Sequence, residues 1–165
     1  MIYRMASDVE TILRGRKFPL RVVYGPEPVE RERYTTEIVV QRDRKSGDSV
    51  SFALGSQRNP RLRATRGLGV EAKIYAKSSV PGARINEHEH LCDQLVDAFV
   101  VAVSEWGAEA KAGAIQFSES RYLSADELNG EQVWPGVVYV LRFSVPRGVR
   151  VLDFDGQGLA EAAIA

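Results

Sequence analysis

Helical periodicity is clearest between Asn86 and Trp106, where Leu91, Leu95, Ala98, Phe99, Ala102, Val103 and Trp106 recur at three- and four-residue steps. That spacing draws one apolar stripe and predicts a long helix over about 86–106. Asn86 as N-cap with Glu89 three residues on reads as a capping box. Glu87, Glu89 and Asp93 place negative charge where the helix dipole favours it, and Gly107 is the expected stop. Ser7 and Glu10 repeat the capping-box spacing beside Val9, Ile12 and Leu13, predicting a short helix that ends by Gly15.

Elsewhere the period is two. Thr36, Ile38 and Val40 alternate with Glu37, Val39 and Gln41, and Val50, Phe52 and Leu54 alternate with Ser49, Ser51 and Ala53. The polar run Arg42–Asp48 between them predicts a β-hairpin with a charged tip. Val70, Ala72, Ile74 and Ala76 alternate with Glu71, Lys73, Tyr75 and Lys77, so Gly69 is expected to open a strand. Strands are also expected at Leu20–Tyr24, at Ala114–Tyr122 and at Val137–Val145, the last apolar on both faces at Val138 and Val140 and therefore central. Gly25 to Pro28 reads as a turn or extended arm, because two prolines cannot sit inside a ladder. Gly55–Arg66 shows no period and reads as a basic loop. Leu123–Pro135 reads as a loop with a helical turn starting at Ser124. The whole predicts an α+β fold, with helices on one face of a mostly antiparallel sheet, as one domain over 1–152 and a Gly- and Ala-rich tail over 153–165.

Composition adds limits. The chain has 165 residues, enough for a substantial single core, and its 22 Lys plus Arg equal its 22 Asp plus Glu. Net charge therefore gives no pull toward nucleic acid or membrane surfaces. A single cysteine, Cys92, rules out an intrachain disulfide and fits a reducing compartment. The N-terminal residues turn polar before any long apolar run, and no stretch approaches the roughly 18 apolar residues of a membrane helix. A cytosolic product is expected.

Candidate chemistry is sparse. His88 and His90, two apart on a helix, point to different sides; His88 and Cys92 could share an ion, but a zinc site needs further ligands, and the chain has no third histidine or second cysteine. Both histidines read as solvated first-turn residues, and Cys92 as a buried or half-buried thiol. Asp153-Phe-Asp155-Gly156 lacks the closing glutamate of a calcium loop, and Gly67-Leu-Gly69 lacks the third glycine of a phosphate cradle. No catalytic constellation, metal or cofactor is expected. The charges that stand out are Arg58, Arg61, Arg63 and Arg66, with Arg14, Arg16 and Lys17, and the tip residues Asp43, Arg44, Lys45 and Asp48. Glu27, Glu30, Glu32 and Glu37 supply an opposing acidic side, and separated basic and acidic loops on a charge-balanced chain suit head-to-tail assembly, where unlike surfaces meet.

The stretch Arg66-Gly-Leu-Gly-Val-Glu-Ala-Lys-Ile-Tyr-Ala-Lys77, then Pro81-Gly-Ala83, Glu87-His-Glu-His90 and Leu95-Val-Asp-Ala-Phe99, resembles the tail-terminator proteins of long-tailed bacteriophages. Gly136-Val-Val-Tyr-Val-Leu-Arg-Phe-Ser-Val145 resembles that family's closing strand, so the likeness covers about half the chain; the basic loop and the Leu123–Pro135 segment depart from it. The resemblance implies a homohexameric ring without chemistry of its own. Such a ring caps the tail tube protein, stops polymerisation, meets the head connector or stopper protein and the sheath terminus, and lets genomic DNA pass through its pore in the virion neck. The Arg58–Arg66 loop and the Asp43–Asp48 tip are then expected at ring contacts or the pore. Three alternatives differ in what they predict: another head–tail neck component, an enzyme using His88 or Cys92, and a non-specific double-stranded DNA binder whose affinity falls steeply with salt.

Overall fold

The computed structural model describes residues 1–18, 20–25, 36–54, 61–110, 114–124, 127 and 136–153; for 51–54, 61–65 and 147–153 it describes the backbone course. The elements run α1 (Ile2–Gly15), β1 (Arg21–Tyr24), β2 (Glu37–Arg42), β3 (Ser49–Leu54), β4 (Arg61–Ala76), α2 (Ile85–Glu109), β5 (Gln116–Tyr122) and β6 (Val137–Asp153). The class is α+β, as the periodicities predict.

Both helices begin earlier than the capping signals imply. In α1 the buried stripe is Ile2, Met5, Ala6, Val9 and Leu13, so packing carries the helix back to Ile2 and leaves Ser7 inside it. Its end at Gly15 is as expected. In α2 the N-cap is Arg84, not Asn86. The Arg84 N–H donates to Glu87 Oε2 at 2.7 Å and the Glu87 N–H donates to the Arg84 carbonyl at 3.0 Å, so Glu87 does the reciprocal work assigned to Glu89. Gly107 does not stop α2; it is buried inside the last turns. Trp106 Nε1 donates to Asp8 Oδ2 at 3.1 Å, tying the two helices together.

The strands form one six-stranded sheet in the order β1-β2-β4-β6-β5, with β3 also on β4. β1 and β2 are parallel and every other pair is antiparallel. β6 lies between β4 and β5, which explains its two apolar faces. On the helix side, Ile38, Val40, Val70, Ala72, Ile74, Leu141, Phe143 and Val145 pack with Leu13, Phe99, Val103 and Cys92 in one core. Each fully buried side chain of this size contributes about 1.5–3 kcal/mol by leaving water. On the opposite face Val39, Tyr75 and Val138 make a second, smaller buried cluster with Leu123 against it. No described helix is long and apolar enough to cross a membrane.

The expected β2–β3 hairpin does not form. β2 pairs with Val70–Tyr75 and β3 with Leu62–Gly67, both antiparallel to β4 and along the same edge of it. The chain therefore keeps its direction from β2 into β3, and residues 43–48 are an excursion between two collinear segments, not a reversal. Alternation alone cannot separate these cases, because both need two strands joined by a polar run.

The basic loop expected over Gly55–Arg66 is also shorter. Arg61 to Arg66 belong to β4, paired on one side with β3 and on the other with residues of β6 down to Arg61↔Asp153, with an irregularity between Leu62 and Ala64. Thus β3 and the far halves of β4 and β6 continue the sheet as three strands. β5 reaches only Ser144 of β6 and β2 only Val70 of β4. Among the described residues, the outer edge of β3 and the edge of β6 beyond Ser144 have no strand partner. Residues 154–165, and with them the calcium-like Asp155-Gly156, lie outside the described residues.

Candidate functional site

Polar side chains converge where β2 hands over to β3. Asp43 winds the excursion: its Oδ1 accepts the Lys45 and Ser46 N–H groups at 2.9 and 3.0 Å, and its carbonyl accepts the Gly47 N–H at 3.1 Å. Gly47 then turns with φ 69°, a conformation glycine adopts without strain. Asp48 anchors the other end. Its Oδ1 accepts the Gly69 N–H at 2.9 Å, while Arg42 Nη2 donates to both carboxylate oxygens at 2.6 Å and Arg66 Nε donates at 3.0 Å. The Asp43 N–H donates to the Gly69 carbonyl at 2.9 Å, so Gly69 holds both ends of the excursion. Burial pushes the Asp48 carboxyl up, but the Gly69 N–H, Arg66 and Arg42 outweigh it and hold it below the ordinary carboxylate range.

The excursion lies directly over Gly69. A Cβ there would fall far inside contact distance of the Gly47 carbonyl oxygen and 3.0 Å from its carbon. Gly69 is therefore a close-approach glycine within β4, not the strand's opening residue.

Beside the excursion, on the sheet face away from the helices, lies a buried arginine. Arg142 in β6 is 8% exposed. Its Nε and Nη2 donate to Glu71 Oε2 at 3.1 and 2.8 Å, its Nη1 donates to Glu119, and Asp43 Oδ2 stands 3.6 Å from its Nε. Glu71 is positioned in turn by the Gln41 side-chain amide at 3.0 Å. Burial lowers the arginine's proton affinity, and its carboxylate partners, Glu71 first, more than restore it. Glu119 is held low chiefly by Arg121, which also pairs with Glu127. Keeping the buried members, Arg142, Glu71 and Asp43, out of water costs several kcal/mol per ion in desolvation and is sustained because each of them is paired.

Between this network and the end of β1 opens a cavity of about 340 Å³, bordered by Tyr24, Gln41, Glu71 and Arg142 and, from the excursion side, by Arg44 and Lys45. Arg44 and Lys45 are exposed, and among the described residues neither side chain meets a carboxylate. Tyr24 is 40% exposed and stands edge-on to Tyr3, itself 68% exposed, with ring centroids 6.1 Å apart.

Of the residues singled out from the sequence, Asp43, Arg44, Lys45, Asp48 and Arg66 do come together here. The two aspartates turn inward and fix the backbone, while Arg44 and Lys45 face solvent. Arg66 is engaged by Asp48, not free. Arg61 and Arg63 are strand residues of β4, and Arg58, Glu27, Glu30 and Glu32 lie outside the described residues. Glu37 is not part of an exposed acidic side; it is a β2 residue, 9% exposed. Arg14 pairs with Glu10 at 2.9 Å and Arg16 with Glu105, both at the helices.

His88 is not solvated: it is 7% exposed, and its Nδ1 accepts the Ser78 N–H at 2.9 Å, tying the β4–α2 connection to the helix. His90 is the exposed one. Cys92 is fully buried as expected, and burial pushes its thiol up to about 12. Sequence reasoning missed Arg142, Glu71 and Glu119. The signal was present: an arginine amid Val138, Val140 and Phe143 on a central strand needs an acidic partner on the same face.

The chain matches no protein-family model, and no curated protein resembles it at a significant level.

Proposed function

We propose that this protein is a structural assembly subunit of the tail-terminator kind: a ring component that caps the tail tube and joins it to the head connector. The observation that carries the reading is the three-stranded continuation of β3, β4 and β6. The six residues of β3 run about 20 Å and the nine of β6 beyond Ser144 about 30 Å at roughly 3.3 Å per residue, and the outer edge of each has no strand partner among the described residues. Open edges of this length are templates for pairing with another chain, and proteins that keep them put them to use in assembly. The likeness of 66–106 and 136–145 to tail terminators supports the same reading. The polar network beside the continuation is self-paired and acts as a rigid base for it.

The test is solution mass by light scattering, with and without purified tail tubes, followed by negative-stain imaging. A hexamer of the 18.3 kDa chain would scatter as about 110 kDa, or a cap would appear on one tube end. A monomer that ignores tubes would refute the reading. Arg61→Glu with Arg63→Glu, on the continuation, should abolish ring formation or attachment; unchanged assembly would exclude those positions from the contact.

A further inference from the structure

We propose that the cavity between β1 and the 43–48 excursion receives a single carboxylate side chain from an acidic segment of a partner protein. Nothing in this inference depends on the tail-terminator reading. Three observations carry it. Arg142, Arg42 and Arg66 are already neutralised by Glu71, Glu119, Asp43 and Asp48, whereas Arg44 and Lys45 at the mouth have no described counter-charge. Their backbone is fixed by the Asp43 turn, so two cations are presented without the ordering cost of a free loop. Tyr24, 40% exposed, borders the cavity on its other side, and tyrosine with arginine is the composition of interface anchors.

The same charges select the class of anion. Glu71 borders the cavity and three further carboxylates stand close behind it. A carboxylate reaching in between Arg44 and Lys45 keeps its one charge at short range of both cations, whereas a nucleic-acid backbone carries further phosphates past them toward those carboxylates, which repel each one. An acidic side chain carried on a peptide fits the cavity's size and brings backbone to lie against Tyr24.

The experiment titrates isotopically labelled protein at low salt with a capped peptide holding a single glutamate, followed by amide NMR. The expected result is saturable shifts confined to residues 24–25, 41–46 and 71, no response to the glutamine version of the peptide, and at least tenfold weaker binding by Arg44→Gln/Lys45→Gln. Both substituted side chains are exposed, so the fold is retained. Absent or scattered shifts, an equal response to the glutamine peptide, or unweakened binding by the double variant would overturn the proposal. Tighter binding of inorganic phosphate or duplex DNA at the same amides would overturn it too, by assigning the cavity to phosphate.

Discussion

Gly69→Ala tests the tie between the 43–48 excursion and β4. The new methyl has no room, because the Gly47 carbonyl group occupies that space and Asp43 Cβ lies 3.4 Å away. Gly69 cannot retreat, being paired with Ser144 of β6 on its other side. The excursion must lift, and its two ties to Gly69 go with it: the N–H to Asp48 Oδ1 and the carbonyl from the Asp43 N–H, each 2.9 Å. A hydrogen bond to a charged partner contributes about 1.5–3 kcal/mol and a neutral one about 1. Against this, alanine restricts the unfolded chain and returns about 0.4–1 kcal/mol. The net expectation is a loss of about 2–3 kcal/mol, or a melting temperature lower by about 5–10 °C for a domain of this size. Urea unfolding read by Trp fluorescence measures it. Gly15→Ala is the control: nothing stands within 4 Å of its would-be Cβ, and helix propensity predicts a gain of up to about 1 kcal/mol. Because Asp48→Asn leaves only a neutral acceptor for the same Gly69 N–H, Gly69→Ala and Asp48→Asn should combine to less than their sum by about 1 kcal/mol. Stability of Gly69→Ala within about 0.5 kcal/mol of the parent, or full additivity with Asp48→Asn, would refute the clamp.

Asp48 has its pKa depressed by folding, so it adds stability that is complete above its unfolded value near 3.9 and lost as pH falls through its lower folded value. Asp48→Asn should therefore show a constant deficit from pH 7 to about pH 4 that closes below it, measured by urea midpoints across pH. Arg142→Met leaves Glu71 and Asp43 as buried carboxylates without their cation and should cost about 3–5 kcal/mol at pH 7. Urea midpoints measure it, and a loss below about 1 kcal/mol would refute the pairing as the support of that face. Cys92, buried and with its thiol at about 12, should resist a disulfide reagent at pH 8 until urea unfolds the chain. Prompt modification of the native protein would contradict its placement in the core.

What could be read from the chain depended on how local the cause was. The α2 stripe from Leu91 to Trp106 and the alternation of Val70 to Ala76 are written in adjacent turns and pleats, and both elements stand where they were expected. Helix starts were misread because the capping motif is degenerate. Ser7 with Glu10 has the right spacing, but Ile2 and Met5 continue the buried face, and burial outweighs a cap of about 1 kcal/mol. The Gly55–Arg66 stretch concealed a strand for a different reason. Arg61, Arg63 and Arg66 carry no apolar alternation, and their strand exists because β3 and β6 supply backbone partners from either side. The ion network was the least legible part, since Glu71, Glu119 and Arg142 are separated by dozens of residues and meet only through strand register.

The same register explains why a hairpin was the wrong inference and what the alternative achieves. A β2–β3 hairpin would have set β3 beside β2 and left the first half of β4 to pair with β6 alone. By running on along β4, the chain instead gives that half a second partner and extends the sheet beyond β2 and β5. Keeping direction needs the six residues 43–48 to be stored opposite Leu68 and Gly69, and the storage needs both a glycine beneath them and an anion to gather Arg42, Arg66 and the Gly69 N–H. Asp48 meets the second need from the end of the excursion, and Asp43, at its start, joins it to Arg142. The polar run that reads as a charged tip is thus the joint between the helix-backed sheet and its three-stranded continuation. Its inward carboxylates make that joint stiff, and they leave Arg44 and Lys45, with no counter-charge among the described residues, to face whatever the continuation meets.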